Sequence, residues 1–158
     1  MKKISSLVFT AFIISGINAQ DCSDIFISEY VEGSHNNKAI ELYNPTNQNI
    51  DLSKYYLSRY SNGGSTPSTT QLGGVIQAFS TYVIVIDKRD PNGSGQNVPV
   101  WNGYWNDDDD ANTDAVYDAS EDLQSAADTF MNPNYAEANT MYFNGNDALV
   151  LENLSGII

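Results

Sequence analysis

The chain has 158 residues, of which 20 are acidic and 7 basic, with one Cys and one His and a formal net charge of −13. A single Cys and a single His exclude the usual Cys/His zinc site and any internal disulfide framework. The charge argues against a phosphate-backbone ligand, because affinity for nucleic acid comes from Lys and Arg. The length indicates one domain with appendages, and a hydrophobic share of 41% is enough to bury a core.

Residues 1–20 read MKKISSLVFTAFIISGINAQ. Lys2 and Lys3 form a positive start, Leu7 to Ile14 an apolar centre, and Ala19 a small residue at a cleavage position, which is the layout of a secretory signal peptide. The apolar stretch from Ile4 to Ile17 holds 14 residues, whereas crossing a bilayer takes about 20. Cleavage after Ala19 is therefore expected. It would leave a domain of residues 20–158 with no membrane segment, and loss of Lys2 and Lys3 would take the net charge from −13 to −15. Asp21 stands where a lipoprotein needs a small residue before its Cys, so lipid attachment to Cys22 is not expected. Cys22 would be the mature chain's only thiol, which fits either intermolecular pairing or a harmless thiol near the new terminus.

Next come short runs of strand character. Ile25 to Val31 is largely apolar on both alternating sets, which reads as a strand buried on both faces. Glu32-Gly33-Ser34-His35-Asn36-Asn37 is a turn, and Ala39 to Tyr43 is a second strand with Ile40 and Leu42 on one face. Lys38 and Glu41 are expected near one another at its start. If Glu29 and Glu41 meet across the two strands, the apposed carboxylates raise one pKa or call for a cation. A third strand runs through Ile50, Leu52 and Tyr55-Tyr56-Leu57, and a short one over Thr69–Leu72. Thr81 to Asp87 is the strongest, dense in β-branched residues. Met141–Phe143 and Ala148–Leu151, joined by Asn144-Gly145, read as a late hairpin. Leu123, Ala126, Ala127 and Phe130 are spaced for one helix capped by Ser120. Strands punctuated by Gly, Asn and Pro turns predict an all-β sandwich. The chain stops on Ile157-Ile158, which reads as a sandwich truncated at its C-terminus.

Three separated stretches resemble the bacterial lamin tail domain. They are Asp24 to Ser34 with Asn36 to Asn44, then Ile50 to Tyr55, then Phe143 to Leu151. The resemblance spans most of residues 24–152 and implies an immunoglobulin-like β-sandwich. It also implies a secreted, non-catalytic module found beside nuclease, phosphoesterase or adhesin domains. The partners it implies are other domains of a longer parent chain, or a protein or glycan surface ligand. An acidic insertion at about residues 90–140 departs from the family.

Within that insertion Asp110, Asn112, Asp114, the Val116 carbonyl, Asp118 and Glu121 reproduce the oxygen spacing of an EF-hand loop, the kind of set that takes Ca²⁺. Ala115 stands where that loop wants Gly, and no entering helix precedes it, so a solvated acidic loop fits the sequence as well. Trp101, Tyr104 and Trp105 fit either sugar stacking or a satellite cluster under the loop. A Ser–His–Asp arrangement would need His35, which lies in a turn, and no Gly-x-Ser-x-Gly occurs. No catalytic residue is assigned. The function expected is a binding or spacer module of a cell-surface or extracellular protein. The alternatives are the N-terminal piece of an extracellular nuclease or phosphoesterase whose catalytic domain lies beyond residue 158, and a calcium-dependent carbohydrate or adhesion module.

Overall fold

The computed structural model describes residues 23–33, 36–90, 92–98, 123–154 and 156–157. The strands, in chain order, are β1 (Phe26–Glu32), β2 (Lys38–Tyr43), β3 (Ile50–Asp51), β4 (Tyr55–Tyr60), β5 (Ser68–Gln71), β6 (Val75–Ile76), β7 (Thr81–Ile86), β8 (Thr129–Met131), β9 (Ala148–Asn153) and β10 (Gly156–Ile157). They form one sheet in the order β1-β2-β7-β8, a second in the order β10-β9-β4-β5, and a small ribbon of β3 with β6. All pairings are antiparallel except that of β7 with β8. Among the described residues no helix is long and apolar enough to cross a membrane.

Side-chain alternation explains how the two sheets face one another. Ile40 and Leu42 on β2, and Ile84 and Ile86 on β7, point to the same side as Met131 on β8. They meet Tyr55 and Leu57 of β4 and Leu151 of β9 in one core. Leu52, Leu72 and Ile76 close that core along the ribbon, and Met141, Tyr142 and Phe143 close it at one end. Fully burying a side chain such as Ile40 or Leu42 stabilises by about 1.5–3 kcal/mol, so this shared core dominates the folding free energy. An all-β, sandwich-like architecture is what the sequence predicts.

Several elements differ from expectation. β1 is an edge strand only partly covered on either face: Phe26 on the outer face is 41% and Tyr30 on the core side 44% exposed. Its double apolar pattern reflects partial cover at an edge rather than burial on both faces. The predicted third strand is split, because the Asp51 side chain accepts from the Ser53 backbone N–H at 3.0 Å and caps a short 3-10 turn, Leu52–Lys54, between β3 and β4. The helix is cut short. Residues 123–125 are helical, and the Ala126 and Ala127 N–H groups then bond the Leu123 and Gln124 carbonyls, three residues back. Phe130 belongs to β8, where it pairs with Val85. A backbone bond from Asp128 N–H to the Val83 carbonyl turns the chain into the sheet, and that tertiary bond overrides the helical spacing. Residues 141–143 are buried but not a strand, so the late hairpin has one arm only, β9. β9 is flanked by β4 on one side and β10 on the other.

One buried side chain ties the ribbon to the first sheet. Asn44 is fully buried at the end of β2. Its Nδ2 donates to the Gln48 carbonyl at 2.7 Å and the Gln77 carbonyl at 2.9 Å, and its Oδ1 accepts from the Thr46 N–H and hydroxyl. A buried polar group without a partner costs about 1–3 kcal/mol. Asn44→Ala strands several at once and is expected to lower the stability by about 3 kcal/mol, read as a drop in the urea midpoint.

Candidate functional site

The polar residues of the first and third family-like stretches gather where three loops close one end of the sandwich. The Gly33 N–H bonds the Asn37 carbonyl at 2.8 Å, and Asn36 takes a left-handed φ of 66°. Gly33 is required for closeness rather than for its φ, since a Cβ there would lie 2.7 Å from the Asn37 carbonyl oxygen. Lys38 turns inward, 5% exposed. It donates to the Gly33 carbonyl at 3.1 Å, pairs with Glu32 at 3.8 Å and lies over the Phe143 ring. Glu41 is three positions on, and therefore on the opposite face, so the expected proximity of Lys38 to Glu41 is not found. The polar residues of this turn hold the turn.

Two further cations are buried at the same end. Arg59 on β4 donates to the Tyr142 carbonyl and, at 2.9 Å, to Asn139 Oδ1, and it faces Asp147 at 3.7 Å. Asp147 also accepts from the Asn62 N–H at 2.8 Å and the Asn144 N–H at 3.2 Å. The third stretch is thus a turn whose Asp organises two loops and neutralises a buried guanidinium. Lys88, only 1% exposed, donates to the Gln96 carbonyl and to the Tyr142 hydroxyl, with its ammonium over that ring. Tyr142 in turn donates to Asn97 Oδ1 at 2.9 Å. Asp24 joins the core from the other end of β1, accepting from the Tyr55 hydroxyl at 2.5 Å and from Asn153 at 3.1 Å.

Of the five basic residues among the described ones, three are therefore internal. Arg89 is held by Asp87 at 2.9 Å over the Phe130 ring, which leaves Lys54. No group of three or more His, Cys, Asp or Glu that could hold a metal ion occurs among the described residues. The proposed calcium set (Asp110, Asn112, Asp114, Val116, Asp118 and Glu121) lies outside the described residues, as do Trp101, Tyr104, Trp105, His35 and Cys22.

The structure does bring Glu29 and Glu41 together. They are opposite one another in the β1–β2 register, just past a bulge between Ile27 and Glu29. Ser28 Oγ donates to Glu41 Oε1 at 2.7 Å. The two carboxylates flank a groove of about 250 Å³ on the outer face of the first sheet, with Val31, Ala39, Val83, Leu123 and Ala126 as its apolar lining. Sequence alone could not find this groove, since it needs the register of β1 on β2 and the return of residues 123–126 over the sheet.

An immunoglobulin-like sandwich whose motif residues close its own loops is the class of protein that the geometry defines. The lamin tail domain family model matches residues 18–157, and the chain belongs to that family of non-catalytic modules. No curated protein matches the chain.

The buried groups make stability depend on alkaline pH. Burial pushes the Lys88 amine from 10.5 down to about 8. Between these values the unfolded chain carries a proton that the folded chain does not, so stability rises with pH from about 8 towards 10, and the penalty is fully present below 8. Burial pushes the Tyr142 hydroxyl up from 10 to about 12, helped by the Asp87 charge, and raises Tyr30 and Tyr55 as well. Above pH 10 the unfolded chain loses protons that the folded one keeps, and stability falls. The urea midpoint is expected to peak near pH 10, with the rising limb reduced in Lys88→Met and its remainder due to Lys38, whose amine burial also pushes down. Asp147→Ala leaves Arg59 without its counter-charge and is expected to cost about 3 kcal/mol, with Asp147→Asn costing less, both read by urea denaturation.

Proposed function

We propose that the chain is a secreted lamin tail module that serves as a binding or spacer unit of a cell-surface or extracellular protein. The observation that carries this reading is the employment of its buried charged residues. Lys38, Arg59, Lys88 and Asp147 are spent on loop carbonyls, loop amides and one another. A catalytic group has to reach a substrate, and these four do not reach solvent. Their burial also supports partners other than nucleic acid, because the cations that would meet phosphates are inside. The basic and apolar start of the chain supports export.

Expression of the whole coding sequence in a bacterial host tests both halves of the reading. The released protein is expected to begin at Gln20 by intact mass, and to leave double-stranded DNA and bis-p-nitrophenyl phosphate intact in the presence of Mg²⁺, Mn²⁺ or Ca²⁺. A chain that keeps residues 1–19 in the cytoplasm removes the secretion half. Hydrolysis of either substrate by the purified chain removes the non-catalytic half.

A further inference from the structure

We propose that the groove on the outer face of the first sheet docks an extended segment of a partner protein by taking up one of its lysine or arginine side chains. The inference rests on the reading of the chain as a binding module and names the chemistry of its partner. The starting observation is a cost. Like charges directly opposite on paired strands are destabilising, yet Glu29 and Glu41 are paired in register. Among the described residues neither carboxylate has a salt-bridge partner. The neighbouring wall is aliphatic: Val31 pairs with Ala39, and Glu41 with Val83. Leu123 and Ala126 stand over it.

The shape suits a single long side chain. At about 250 Å³ the space falls below the ~300–1,000 Å³ usual for small-molecule sites. A Lys or Arg stem is apolar and its head is cationic. Laid along Val31, Ala39 and Val83, the stem would bury aliphatic surface while the head came between the two carboxylates and relieved their repulsion. One residue pair further along the same face, Phe26 and Tyr43 meet edge to face at 5.7 Å, and such rings attract a second cation on the same segment. Among the described residues β1 is the edge of its sheet, with its outer backbone groups placed to pair with an extended chain.

The stretch that leads into Leu123 has no such cation to offer. Residues 99–122 hold no Lys, Arg or His. The net charge of −13, with most described cations internal, draws a basic partner in and repels an acidic one.

The test uses the full chain and three blocked hexapeptides labelled with tetramethylrhodamine: Val-Lys-Val-Arg-Val-Lys, the same peptide with norleucine for each Lys and Arg, and the same with Glu. Fluorescence anisotropy is read at roughly physiological ionic strength, where long-range attraction is screened. Saturable binding of the basic peptide alone is expected. Glu29→Gln and Glu41→Gln should each weaken it by roughly tenfold, while Glu137→Gln, which removes the same charge away from the groove, should stay within about twofold. Both groove variants should melt at or above the temperature of the parent, since each removes a like-charge repulsion, and this separates lost binding from lost fold. Equal weakening by Glu137→Gln, or binding that does not saturate, overturns the proposal in favour of general charge attraction. Displacement of the peptide by CaCl₂ that disappears in Glu29→Gln overturns it in favour of a cation site. Failure of the peptide to bind a chain that is exported and non-hydrolytic retires the groove and leaves the module reading in place. Hydrolysis in the earlier assay retires the module reading itself.

Discussion

Arg59 sits in the core at the end where three loops meet, and there its charge and its two terminal nitrogens are answered while Nε is left without a partner. The answers come from the last of those loops: the Tyr142 carbonyl, Asn139 Oδ1 and the Asp147 carboxylate. This couples β4, at the centre of the second sheet, to a segment without regular structure that would otherwise have little reason to hold one conformation. Met141, Tyr142 and Phe143 are then carried into the core, where their burial contributes the apolar part of the same interaction. Tyr142 passes the arrangement on. Its carbonyl serves Arg59, while its hydroxyl accepts from Lys88 and donates to Asn97. The end of the sandwich is a connected polar network laid over an apolar core, satisfied except at Arg59 Nε and Asn37 Oδ1 among the described residues.

That arrangement has a consequence for the outside of the molecule. The chain has few basic residues, and the fold draws three of them inside. The field at the surface is therefore more one-sided than the net charge alone conveys. A long-range negative potential steers cationic groups inward. Against this background a carboxylate pair bordering an aliphatic groove on an edge-strand face has a defined chemical preference, and stability and recognition pull against each other there. The repulsion between Glu29 and Glu41, eased on one side by the Ser28 hydroxyl, is a cost that a bound cation would recover.

Much of the architecture was legible from residue pattern. β2, β4, β5, β7 and β9 fall where alternation and β-branched content put them, because these strands face one core and a period of two is what such a face requires. β6, β8 and β10 were not legible. Each is two or three residues long and exists through its partner: Val75–Ile76 through β3, Thr129–Met131 through β7 and Gly156–Ile157 through β9. The helical spacing that ended on Phe130 was a true signal for one turn, and it lost to a sheet bond made by Asp128. For the groove, the sequence posed the question of Glu29 and Glu41 and left it open, since a shift of one residue would have turned one carboxylate away.

Taken alone, the sequence determined the all-β class, the order of the main strands and the sign of the net charge, because hydrophobic period, turn chemistry and composition are local properties of the chain, while the family rested on the resemblance of three motif stretches. The tertiary structure decided which charges are inside and which carboxylates face one another. Both depend on strand register and on loops closing over a core, and neither exists until residues far apart in sequence are brought into contact.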